Sequence, residues 1–225
     1  MAIFSSGRKH IAICLGLSFA LFVAVCGDLR AAEVNPGEGL SIEFREKYVY
    51  LQGHIRAGDG ARFIKKMRSA NVQCPLVRLN SGGGAGVEAV EIGTYIRQHG
   101  MTTWTDGVED QCASACNRIF AGGLNRVYSN AQMISTGKRE KVKGEKLHGL
   151  GFHHPNQGGD FQAAASHYHK NIVPYLRSML AREAFDWVYE TDKSNLTFNM
   201  VWLNGDQALA LGIATTDQVP PECVP

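Results

Sequence analysis

Residues 110–117, Asp-Gln-Cys-Ala-Ser-Ala-Cys-Asn, place Ser114 between two alanines and then between two cysteines. Side chains this small around a hydroxyl suit a backbone turned too tightly for larger ones. That is how a sharp turn presents a nucleophile, and also how a disulfide knot or a packed helix start is built. Acyl transfer by serine needs two further parts. A base must stand within hydrogen-bond reach, because the hydroxyl alone is a weak nucleophile. Backbone N–H groups must meet the oxyanion of the tetrahedral intermediate. Gly-Phe-His-His-Pro at 151–155 offers His153 or His154 as the base. Leu-Asn-Ser-Gly-Gly-Gly at 79–84 offers the amide of Gly84 in a loop free of side chains, and Ala115 offers the amide just after the serine. Each signal alone has a plainer reading: a tight turn for the glycines, a helix N-cap for Ser114, half-buried imidazoles for the histidines.

The surrounding pattern supplies elements that position all three. Residues 47–55 are β-rich, 59–70 carry Phe63, Ile64 and Met67 on one helical face with Asp59 as N-cap, and 74–81 form a short strand stopped by Gly82-Gly83-Gly84. A helix over 86–100 follows, with Val87, Val90, Ile92 and Ile96 near one face, and then a strand over 101–107. Residues 114–123 read as helix, 125–129 and 149–155 as extended pieces. The stretch 160–186 is the longest helical run, with Pro174 expected to kink or divide it, and 199–214 reads as strand, turn and helix. Residues 135–149 are charged, glycine-bearing and without apolar period, as in a solvated loop or flap. Alternating strands and helices predict an α/β fold with parallel strands. The three chemical features then fall at carboxyl ends of strands, where open α/β sheets build their sites.

The N-terminus reads as a leader. Arg8 and Lys9 precede an uncharged apolar run, Ile11 to Cys26, and small residues follow at Ala31-Ala32. The run is short for a membrane span, which takes about 20 residues, so the expectation is a signal peptide over 1–32 and one domain over 33–225. An uncleaved anchor or lipidation at Cys26 are the alternatives for membrane attachment. The chain carries 23 Lys and Arg against 21 Asp and Glu. Arg8, Lys9, Arg30 and Asp28 leave with the leader, and the remainder is balanced. Nothing in charge or in basic-aromatic patterning points to nucleic acid or an anionic membrane as partner. Cys74, Cys112, Cys116 and Cys223 remain, an even set that permits disulfides in an exported chain without fixing their pairing. On one regular helix, Cys112 and Cys116 would stand too far apart to bridge undistorted.

Taken in order, VRLNSGGGAGVEAVEIGTYI, CASACNRIFAGG, RVYSN, GFHHP and WLNGDQALALGIA resemble the blocks of the proteolytic subunit of the Clp protease. The likeness is greater to periplasmic Clp-like proteins of bacteria, and spans roughly residues 47 to 215. It implies a crotonase-like α/β fold of repeated β-β-α units with a mainly parallel sheet. It also implies a serine peptidase acting on peptide or protein substrates, with a tendency to form homo-oligomers. Matched residue by residue, the nucleophile falls on Ser114, the base on His153, and the oxyanion and substrate-binding backbone on Gly83, Gly84 and Ala115. Three departures stand out. Gly82 replaces the proline of the family's glycine loop. His153 follows Ser114 by 39 residues, a long interval that contains the charged 135–149 segment. The orienting acid falls near Asp192, with Asp186 and Glu190 as rivals.

No motif implies a metal or cofactor, and an ATPase partner has no role for an exported enzyme. Three other readings compete. Zinc would use Cys112 and Cys116 with His167 and His169. A non-catalytic envelope binding or assembly module would keep the fold with Ser114 as a remnant. A crotonase-type acyl-CoA enzyme conflicts with the leader, because CoA is an intracellular cofactor. The glycine loop lacks both nucleotide-binding fingerprints.

Overall fold

A computed structural model of the chain describes residues 39–139 and 147–223. The chain opens with a hairpin, β1 (Ser41–Phe44) and β2 (Val49–Gln52), and continues through α1 (Asp59–Ser69), β3 (Leu76–Asn80) and α2 (Gly86–Gln98). Then come β4 (Thr102–Asp106), β5 (Gln111–Ala113), α3 (Ala115–Ala121), β6 (Arg126–Ser129), β7 (Gly137–Arg139) and β8 (Gly149–Phe152). The C-terminal part holds α4 (Phe161–His167), a π-helical turn (Tyr168–Ile172), α5 (Val173–Met179), α6 (Arg182–Ser194), β9 (Met200–Leu203) and α7 (Gly205–Ala210). These residues belong to one unit, Val34–Pro225. The expected leader, 1–32, and residues 140–146 of the expected flap lie outside the described residues.

Two sheets carry the site. The first has the order β1-β2-β3-β4-β6, parallel from β2 onward with β1 antiparallel at its edge. The second has the order β5-β8-β9-β7, parallel between β5 and β8 and antiparallel elsewhere. The two meet where the chain after β3 crosses to β5: Ser81 pairs with Cys112, its amide donating to the Gln111 carbonyl at 2.5 Å. The expected mixed α/β fold with a mainly parallel sheet is therefore what forms.

Strand β4, between β3 and β6, is buried throughout although it reads Thr-Thr-Trp-Thr-Asp. Its polar atoms are satisfied locally, as burial demands. Thr103 Oγ1 donates to the Phe120 carbonyl at 2.8 Å, Thr105 Oγ1 to that of Leu79 at 3.2 Å, and Trp104 Nε1 to Ser129 Oγ at 2.9 Å.

Several details differ from the sequence expectation. Asp59 does not cap α1; it is the first helical residue, buried, and its Oδ2 accepts the amides of Leu40 and Arg56 at 2.8 Å each. Val87 is exposed rather than on the buried face of α2, which is formed by Ala89, Ile92, Tyr95 and Ile96. Part of the expected flap is strand: β7 pairs with β9, a contact distant in sequence that local composition does not report. The expected helical stretch is divided at Leu180–Ala181, between α5 and α6, whereas the run continues through Pro174 in the first turn of α5. That proline has no N–H to give, and the π-helical turn immediately before α5 absorbs the missing bond.

Candidate active site

Ser114 sits between the end of β5 and the start of α3, with φ 54° and ψ −120°. An L-residue with positive φ is strained, by about 1–3 kcal/mol, and persists only where its surroundings over-determine it. They do so here. The Ser114 amide donates to the Gly151 carbonyl at 2.9 Å, and Asn117 Nδ2 holds the same carbonyl at 3.0 Å. Cys112 and Cys116 are disulfide-bonded across the turn, with Cα atoms 5.1 Å apart. They can bridge because one lies on a strand and the other in the first turn of a helix, not on one regular helix. Although Ser114 occupies the N-cap position, its side chain caps nothing.

The hydroxyl is turned to His153 instead. Strand register brings them together: β5 and β8 run parallel with Ala113 opposite Gly151, so Ser114 and His153 emerge side by side from neighbouring carboxyl ends. Ser114 Oγ and His153 Nε2 are 2.8 Å apart. His154 faces elsewhere, with Nδ1 on the Pro155 carbonyl at 2.7 Å and its ring 4.9 Å from that of Tyr168.

The glycine loop closes the third side. Ile55 pairs with Gly84, its amide donating to the Gly83 carbonyl and its carbonyl accepting from Ala85, each at 2.9 Å. Strand alternation then turns the Gly84 amide away from Ile55, toward the cavity that Gly84 lines. Ala115 lines the same cavity from the first turn of α3, where a helix amide has no intrahelical acceptor. Gly83 acts otherwise. Its amide is taken by Ser81 Oγ at 3.1 Å, and at φ 104° it is packed so closely that a Cβ would lie 2.7 Å from Ser114 Cβ. The cavity measures about 690 Å³ and is walled by Phe198, Met200 and Ile172 opposite the polar groups.

The acid side departs from expectation. Asp192 is fully buried on α6, but its Oδ2 accepts from Arg118 at 2.6 Å and from Tyr168 at 3.0 Å, and no hydrogen bond joins it to His153. The rivals sit on the exposed face of the same helix, Asp186 beside Arg182 and Glu190 beside Lys193. The buried Nδ1 of His153 and Oδ1 of Asp192 each make no hydrogen bond. Burial, with the Arg118 cation second, depresses His153 to about 4; the nearby Thr197 carbonyl opposes this, and His154 adds to it. The imidazole is thus neutral at pH 7, the form a general base needs. Burial also holds Asp192 above the usual carboxylate value, against the pull of Arg118 and Tyr168.

Arg118 was the residue to find and was missed. It is 2 % exposed and lines the cavity with Ser114 and His153. Its one signal is that it is the single charged residue in the run from Ala115 to Ala121. The zinc reading loses its first pair, since Cys112 is bonded to Cys116, and Cys74 to Cys223. Among the described residues no group of three or more His, Cys, Asp or Glu is arranged to hold a metal ion.

No protein-family model matches the sequence, and no curated protein does. Solved structures do resemble it. A mutant ClpP1 from Listeria monocytogenes is 15% identical over 78% of this chain and 93% of that one, with a TM-score of 0.50. The catalytic domain of the ClpP protease from Plasmodium falciparum is 16% identical over 80% and 87%, with a TM-score of 0.49. A mutant of the 1510-N membrane-bound stomatin-specific protease is 14% identical over 79% and 83%, with a TM-score of 0.47. The chain therefore has the ClpP-like fold, mixed α/β with a mainly parallel sheet.

Proposed function

We propose that the protein is a serine peptidase that hydrolyses peptide bonds with Ser114 as nucleophile and His153 as general base. One observation carries this reading: a serine held at positive φ between strand and helix, 2.8 Å from a buried imidazole. The Ser114 oxygen attacks the peptide carbonyl while His153 Nε2 takes its proton. The oxyanion meets the amides of Gly84 and Ala115. His153 then returns the proton to the leaving amine, and water releases the acyl group by the reverse route. The ClpP-like fold agrees with this chemistry.

Export belongs to the same proposal. It rests on the basic, apolar and small-residue sequence of the leader and on two bridged cysteine pairs, which oxidising compartments favour. The expected setting is the bacterial envelope. Membrane attachment would come through an uncleaved or lipidated N-terminus, as its sequence allows; no helix among the described residues is long and apolar enough to cross a membrane. ATP has no part in the reaction, and self-assembly is expected from the Clp-like resemblance. A non-catalytic module on the same fold is the second reading, favoured by the lack of a hydrogen-bonded acid at His153.

A fluorophosphonate probe separates the two readings, because it reacts only with an activated serine. The peptidase labels covalently and Ser114→Ala does not. A folded protein that stays unlabelled is the binding module.

A further inference from the structure

Four buried groups link α6 to the nucleophile turn. Asp192 accepts from Arg118 at 2.6 Å, Arg118 donates onward to Asn117 Oδ1, and Asn117 Nδ2 donates to the Gly151 carbonyl at 3.0 Å. That carbonyl also receives the Ser114 amide at 2.9 Å. None of the three side chains is solvated: Asn117 is 4 %, Arg118 2 % and Asp192 0 % exposed. Tyr168 fixes the far end by its bond to Asp192, and Tyr175 holds the Arg118 backbone carbonyl at 2.7 Å. A serine at positive φ needs such constraints, and a buried ion pair that loses a partner is costly, so the chain is stiff.

We propose that Asp192 is a positioning residue that acts on the Ser114 turn, through Arg118, Asn117 and the Gly151 carbonyl, rather than on the His153 ring. The orienting carboxylate of a serine site thereby works from the nucleophile's side. This deepens the peptidase reading and rests on it for its catalytic meaning, but the linkage is a physical property of the folded chain and is testable without turnover. Arg118 has a second effect. It is the cation that faces His153 from α3, alongside neighbouring His154, the Thr197 carbonyl, and the cavity histidines His54 and His167. By disfavouring imidazolium it adds to burial in holding His153 down, and Asp192 offsets part of that charge.

The test uses the full chain and two variants. Asn117→Ala cuts the linkage and leaves the ion pair. Arg118→Met with Asp192→Asn removes both charges together, which folded proteins tolerate far better than removal of one. Amide hydrogen exchange at Ser114 in Asn117→Ala is expected to quicken about tenfold or more as the Gly151 carbonyl loses its second donor. Exchange at the wild-type rate overturns the proposal. In the double variant, histidine NMR should find His153 titrating about one pH unit higher than in wild type, because a like charge has gone. An unmoved or lowered titration means that Asp192 had been supporting the ring, and overturns it too. Fluorophosphonate labelling of the same samples should slow about 10- to 100-fold in both variants. If wild type does not label at all, the peptidase reading fails, while exchange and titration still decide the linkage.

Discussion

The serine and histidine sides of the site are built to different standards. Ser114 is held by a disulfide, by two donors on the Gly151 carbonyl, and by Gly83 pressed against its Cβ. His153 has one side-chain bond, to Ser114 itself, and its other nitrogen is buried with no side-chain partner, only the Thr197 carbonyl nearby. In Ser-His-Asp sites the acid fixes the ring's tautomer and orientation. Here the backbone of the turn carries the constraint, and beside the ring lies the Thr197 backbone carbonyl. Precision therefore resides in the nucleophile, and the base is positioned mostly by strand register.

The sharpest way to break this contrast is to attack each side in turn. Replacing His153 by alanine removes the base and should cost labelling and peptide turnover about 10⁴- to 10⁶-fold, as in other serine sites. Gly83→Ala leaves every reacting group in place. Its Cβ would lie 2.7 Å from Ser114 Cβ and 2.8 Å from the Ala113 carbonyl, at φ 104°. The turn must shift, and a shift of about 1 Å at the nucleophile is worth about 100-fold in rate. Near-normal labelling of Gly83→Ala would mean that the turn is less constrained than its contacts imply.

The two disulfides sharpen the same comparison. Cys74–Cys223 spans 149 residues and ties the end of the chain to the start of β3; Cys112–Cys116 spans 4 and encloses Ser114. In the chain-entropy account the long loop contributes about 5 kcal/mol and the short one about 2 kcal/mol. Stability should therefore follow the first and geometry the second. Substituting Cys74 and Cys223 by alanine is expected to lower the melting temperature more, with the labelling rate per folded molecule unchanged. The Cys112 and Cys116 pair of substitutions should do the reverse, lowering the labelling rate about tenfold with a smaller loss of stability. Equal effects from the two would remove the distinction between them.

The choice of His153 over His154 as the partner of Ser114 came from the Clp-like resemblance; the α/β class and the approximate positions of most strands and helices were legible in the residues themselves. These elements follow from local pattern: glycines that stop a strand, small residues at a turn, a period of apolar side chains. What was not legible depends on pairing across distance. The β7 strand is charged and has no pattern of its own; only its partner β9 makes it a strand. Asp192 stands in a helical run with three other acids, Glu183, Asp186 and Glu190, and nothing local says which is buried. The answer lies in Arg118, 74 residues earlier, whose charge could be neutralised only by an acid arriving from a distant helix. The cysteine pairing was open for the same reason: whether Cys112 and Cys116 can bridge depends on where the strand ends and the helix begins.

The smallest effect to measure, and the most specific to an imidazole without a carboxylate partner, is the pH dependence. His153 lies at about 4 when folded, against an unperturbed value of about 6.5. It must be neutral to accept the serine proton, so the labelling rate should stay flat from pH 7 down to about 5 and fall to half near pH 4. A base supported by a carboxylate would lose activity near pH 7 instead. Stability carries the matching sign. Between pH 6.5 and 4 the unfolded chain binds a proton that the folded chain refuses, so this histidine's contribution is complete above about 6.5 and is lost as pH falls through that window. The urea midpoint of wild type should thus drop between pH 7 and pH 4 by more than that of His153→Ala, whose missing imidazole removes this part of the slope. A wild-type labelling profile with its acid limb near 7 would show that a carboxylate reaches the ring, and the serine and histidine sides would then be alike.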